Sequence, residues 1–146
     1  MAKYTISGRS TVVGTNARAQ FSLFGIASRV GKIVECGLFN TSTSAVNLAL
    51  ARWTAATNVG TGLTEVKMDE QAPDAELTGF AGHTGDGTVG NVVRQCTLGA
   101  AAGAGIIWTF AQDNALIVTA GTANGVGPYV PNGTGQTTDY HLDWLE

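Results

Sequence analysis

The residues of this chain that could do chemistry are few: two histidines, two cysteines, six serines and one cluster of carboxylates. His83 sits in the loop-like run Gly82-His-Thr-Gly-Asp-Gly87, and His141 falls near the C-terminal end. A metal site on a β-scaffold wants about three imidazoles with a carboxylate, two of them alternating on one strand. That spacing is absent, and a solvated loop histidine is the simpler reading of His83. Cys36 and Cys96 stand alone, so they make no zinc site and read as two free core thiols. No serine lies in a Gly-x-Ser-x-Gly turn, and none has a base and an orienting group near it in sequence. Asp69, Glu70, Asp74 and Glu76 cluster as a solvated acidic loop, since closeness in sequence does not set two carboxylates across a cleft. The Gly99 to Gly105 stretch lacks the Lys-Ser or Lys-Thr that a phosphate cradle needs. The expectation is therefore no catalytic residue, no cofactor and no metal.

Charge is distributed more tellingly. Six of the eight basic residues (Lys3, Arg9, Arg18, Arg29, Lys32 and Arg52) lie in residues 1–52, where Glu35 is the only acid. That segment has a surplus of five positive charges; the remainder carries ten acids against Lys67 and Arg94. Such asymmetry points to contacts between chains, with a basic head attracted to an acidic body. Direct nucleic-acid binding is not expected, because the bases are dispersed and do not interleave with aromatics. Charged residues make up only 13% of the chain, against about 25% in an average soluble domain. A low-charge surface suits a permanent oligomer.

The elements that must carry these residues read as strands. Residues 4–7, 20–27, 32–40, 45–54, 63–68, 91–98, 105–110, 116–119 and 138–144 are β-rich or alternate in polarity. Val46, Leu48 and Leu50 share one face, and Tyr140, Leu142 and Trp144 share another. Turns are expected over residues 58–62, 111–114, 121–127 and 131–135, with Asn124-Gly125 the strongest signal. The long interval 69–90 reads as irregular, a length that usually means either function or hidden structure, with a brief helical turn at 73–77. Residues 95–112 carry no charge, but their glycines and alanines are too weakly apolar for a membrane span, so no membrane contact is expected. No apolar signal segment is visible in residues 1–10.

About 8–10 short strands with frequent turns and no long helices imply an all-β fold, an antiparallel β-sandwich that is jelly-roll-like. Residues 1–30 are expected to form a basic N-terminal arm or edge strands, and residues 31–146 a single β-sandwich domain. At 146 residues the chain is long enough for a real core. Lys3, Arg9, Arg18, Arg29 and Trp144 are the candidate assembly interface: four bases of the head and an aromatic anchor near the end.

Four stretches stand out together: Gly31-Lys-Ile-Val-Glu-Cys-Gly-Leu-Phe-Asn-Thr-Ser-Thr-Ser-Ala-Val46, Gly62-Leu-Thr-Glu-Val66, Leu98-Gly-Ala-Ala-Ala-Gly-Ala-Gly-Ile-Ile-Trp108 and Gly121-Thr-Ala-Asn-Gly125. They resemble small virion structural proteins of tailed bacteriophages, of the head decoration or cement kind. Such proteins share no universal motif, so no site residue carries over. The resemblance implies a non-enzymatic, β-rich protein assembled in the host cytoplasm. It would bind the major capsid protein on the outer surface of the capsid, associate with itself, often as a trimer, and link neighbouring subunits. The alternative is a carbohydrate-binding β-sandwich module of a phage tail or fibre, in which exposed aromatics would stack on sugar rings.

Overall fold

A computed structural model describes residues 1–56 and 60–146 of the chain. Its strands are β1 (Lys3–Arg9), β2 (Phe21–Phe24), β3 (Gly31–Asn40), β4 (Val46–Ala56), β5 (Thr61–Gly62), β6 (Val66–Lys67), β7 (Thr78–Ala81), β8 (Gly87–Leu98), β9 (Gly105–Thr109), β10 (Leu116–Val118), β11 (Gly125–Tyr129) and β12 (Thr138–Leu145). The expected turn over 58–62 falls outside the described residues at 58 and 59; its end is β5.

The pairing is nested. β1 pairs with β12, β2 with β11, β3 with β10 and β9, and β4 with β8, all antiparallel. The chain is thus one long hairpin, folded over so that β12 also pairs with β3 and β11 with β4. Two six-stranded sheets result. The first runs β6-β1-β12-β3, with β9 and β10 end to end along the far edge of β3; the second runs β5-β7-β2-β11-β4-β8. The central orders β1-β12-β3-β9/β10 and β2-β11-β4-β8 are those of a jelly roll.

Alternation explains which residues meet between the sheets. Val46, Leu48 and Leu50 of β4 join Tyr4, Ile6, Phe21, Leu23, Leu142 and Trp144 in the main core. The opposite face of β4 is not bare: Ala49, Ala51 and Trp53 pack with Ala19, Phe24 and Tyr129 as a second cluster. Phe21 and Tyr140 stack across the sandwich with ring centroids 3.9 Å apart, and Tyr4 stacks on Trp144. Because Tyr4, Ile6, Phe21 and Leu23 are core residues, the first thirty residues are no arm. β1 lies between β12 and β6, and β2 between β11 and β7.

Three local expectations change. Residues 73–77 form no helical turn, because their polar groups bond far away: the Tyr4 hydroxyl donates to the Pro73 carbonyl, and the Glu146 carboxylate accepts from the Glu76 and Leu77 amides. The interval 69–90 contains β7 and the start of β8. β11, whose first three residues fall in the turn expected over 121–127 on the Asn124-Gly125 signal, is an interior strand. Its glycines are required by neighbours. A Cβ on Gly125 would lie 2.7 Å from the Phe24 ring, and one on Gly127 would collide with the Phe21 carbonyl.

Trp144 is fully buried, and its indole Nε1 has no hydrogen-bond partner among the described residues. Trp144→Ala is expected to lower the unfolding free energy by about 3–5 kcal/mol in urea titrations. Trp144→Phe keeps the ring on Tyr4 and removes the unpaired donor, so it should cost well under half of that. Equal losses for the two variants would show that the ring does not fill the core as described.

Candidate assembly surface

The basic head and acidic body meet inside one chain. The β1–β12 register sets Arg9 opposite Asp139, and Lys3 diagonally across from Asp143, two residues from the Leu145 that it faces. Arg9 donates through Nε and Nη2 to the two Asp139 oxygens at 2.6 and 2.9 Å, and Lys3 Nζ lies 2.8 Å from Asp143. Arg18 reaches Asp86 at 2.6 Å, and Arg29 reaches Glu76 at 2.7 Å. Glu35, the single acid of the head, faces His141 at 2.9 Å. Arg52 donates from the second sheet to the Ile117 carbonyl at the edge of the first. The four bases expected to reach a neighbour are therefore engaged with acids of their own chain. Trp144, the expected anchor, lies in the core and presents nothing to a partner.

These pairs tune protonation more than stability, because most are exposed and screened by water. The Arg9 guanidinium, mainly through its hydrogen bonds, holds Asp139 below its ordinary range. Lys67 does the same to Asp74, and Arg29 to Glu76. Two members of the acidic cluster are thus ion-paired rather than aimed at each other across a cleft.

The remaining chemical groups are largely covered. His83 is buried, not solvated: its Nε2 and the Ser22 Oγ share a hydrogen bond of 2.9 Å. That bond ties the loop after β7 to the middle of β2. Ser22 is 0% exposed, so its hydroxyl cannot reach a substrate. Its burial was not readable from the sequence, where residues 20–27 alternate without marking which polar residue is covered. Cys36 and Cys96 are unbonded, and burial pushes both thiols up, away from thiolate chemistry. No group of three metal-ligating side chains occurs among the described residues. A shallow cleft of about 300 Å³ lies between Val13, Thr15, Arg18 and His83, where Arg18 is paired with Asp86 and His83 with Ser22.

The surface that stands out is one flank of the sandwich. The excursion between β4 and β8 crosses to the opposite side, where β6 covers part of β1, and β7 and β5 extend β2. Among the described residues, the flank formed by β8 and β9 receives no such cover: β8 is the last strand of its sheet, and β9 pairs with β3. Val93, Cys96, Ile106 and Phe110 are half-buried along the seam between the sheets, while Val92 and Ile107 are 46% and 51% exposed. Arg94 is the one charged residue in these two strands, and its guanidinium lies over the Phe110 ring, 5.3 Å from the centroid. The uncharged run 95–112 was legible in the sequence, but its position on an open flank was not.

Compared with known protein families, characterised proteins and solved structures, the chain matches none.

Acid should weaken the ion pairs in a defined direction. A carboxylate depressed in the folded state adds stability above its unfolded pKa, near 4, and loses it as pH falls through the lower folded value. The melting temperature is expected to drop as pH falls below about 4, and Arg9→Gln should make that drop shallower. An unchanged slope in the variant would show that Asp139 is not held by Arg9 in solution.

Proposed function

We propose that this chain is a non-enzymatic structural protein of a tailed-bacteriophage virion: a decoration or cement protein that binds the major capsid protein on the outer capsid surface and links neighbouring subunits. The observation that carries this reading is the uncovered, nearly uncharged flank of β8 and β9 on a sandwich whose other charges are largely engaged internally. A decoration protein works by burying surface against a lattice, and apolar flanks do that without desolvating charge. The resemblance of residues 31–46, 62–66, 98–108 and 121–125 to such proteins supplies the virion. The fold alone would not, because jelly rolls serve many functions.

Mixing the purified protein with capsids that lack it, followed by sedimentation, tests the proposal. The protein is expected to pellet with the capsids, and to keep doing so when salt is raised from about 0.05 M to about 0.5 M, because engaged charges contribute little to the contact. No pelleting at any salt, combined with reproducible hits on a glycan array, would replace this reading with the sugar-binding module. Pelleting that disappears with salt would overturn the apolar contact and return the role to the basic residues.

A further inference from the structure

We propose that two copies of this chain join edge to edge through Arg94–Leu98 of β8, so that their second sheets continue as one antiparallel sheet across a two-fold axis. This deepens the assembly reading by naming a self-contact, and it does not require a capsid.

Proteins blunt the edges of sheets with bulges, charges, prolines or covering loops. The first half of β8 is blunted: its register against β4 shifts three times between Leu50 and Ala55. The second half is not. Arg94, Gln95, Cys96, Thr97 and Leu98 pair step for step with Leu50, Ala49, Leu48, Asn47 and Val46. Their far side ends the sheet, and beyond Arg94 the run contains neither charge nor proline. What fits an unpaired strand edge is another strand, which supplies the matching row of amides and carbonyls.

A second copy fits best because the run is self-complementary. Antiparallel pairing of five regular residues with themselves centres on Cys96. Arg94 then opposes Leu98 of the other copy, and Gln95 opposes Thr97. Each copy carries a net charge of −3, so most approaches bring like charges together. Along this edge the only charges are the two Arg94 side chains. Four residues at about 3.4 Å each set them about 14 Å apart along the strands, beyond a Debye length of about 8 Å. Val93 and Cys96, half-buried in each copy, come to lie beside the new contact. The contact is isologous and therefore closes as a dimer instead of growing into a filament.

Sedimentation equilibrium of the free protein tests this. The native chain is expected at twice its 15.0 kDa mass. Gln95 and Thr97 are exposed, so both can be changed without touching the core. Gln95→Lys with Thr97→Lys sets like charges directly opposite each other on both sides of the central Cys96 pair, and should reduce the mass to that of one chain. Gln95→Glu with Thr97→Lys sets opposite charges at the same positions and should restore the dimer. Circular dichroism of both variants reports whether they fold; if the double-lysine variant does not, Gln95→Glu with Thr97→Glu sets like negative charges at the same positions and should likewise give the mass of one chain. A native mass of one or three chains overturns the proposal, as does a dimer that neither variant alters. These measurements contain no capsid, so failure here leaves the decoration role to its own test, and capsid binding by a monomeric variant would separate the two.

Discussion

The antiparallel pairing of β1 with β12 is the constraint on which the rest of this structure depends. Seven consecutive residue pairs, from Lys3 and Leu145 to Arg9 and Asp139, bind two ends of the described chain together. Once they are in register, Tyr4 meets Trp144 and Ile6 meets Leu142 on the inner face. The nested pairs inside them then have one way to roll, with β12 turning to pair with β3 and β11 with β4. A slip of one residue would turn Tyr140, Leu142 and Trp144 outward and Asp139, His141 and Asp143 into the core.

The same pairing accounts for the charge pattern. In a nested hairpin, early residues find late ones, so a basic start and an acidic remainder are what place Arg9 on Asp139 and Lys3 by Asp143. The asymmetry that looks like a signal between chains is largely neutralised within one. What it leaves for partners is negative space: strands with so little charge that another surface can approach them without displacing tightly held water.

Strands whose side chains alternate strictly, or whose apolar runs are bounded by polar clusters, were legible in the sequence. β3, β4 and β12 fall within a residue or two of where their patterns place them. β11 was not legible, because the glycines that let Phe24 and the β2 backbone approach are the same residues that mark turns. β7 was hidden for a different reason: four residues, two of them Thr78 and Gly79, give too short a period to recognise. For the candidate surface, the lack of charge after Arg94 could be read directly. Its exposure could not, because that follows from where the excursion after β4 travels. Trp144 shows the limit most plainly: the in-phase tryptophan signalled burial against something, and only the fold decides between a partner and the chain's own core.

Nesting also sets an order in time. β4 and β8 are separated by a few tens of residues, whereas Arg9 and Asp139 stand 130 apart. Loops of that length close slowly, and folds dominated by such distant pairings cross high entropic barriers. The inner strands can therefore meet while β1 and β2 still wait for β12 and β11, with Phe21 and Leu23 uncovered. During that interval the regular half of β8 is already an open template. The concentration of neighbouring chains then governs how much material reaches the closed roll and how much is diverted into mispaired aggregates.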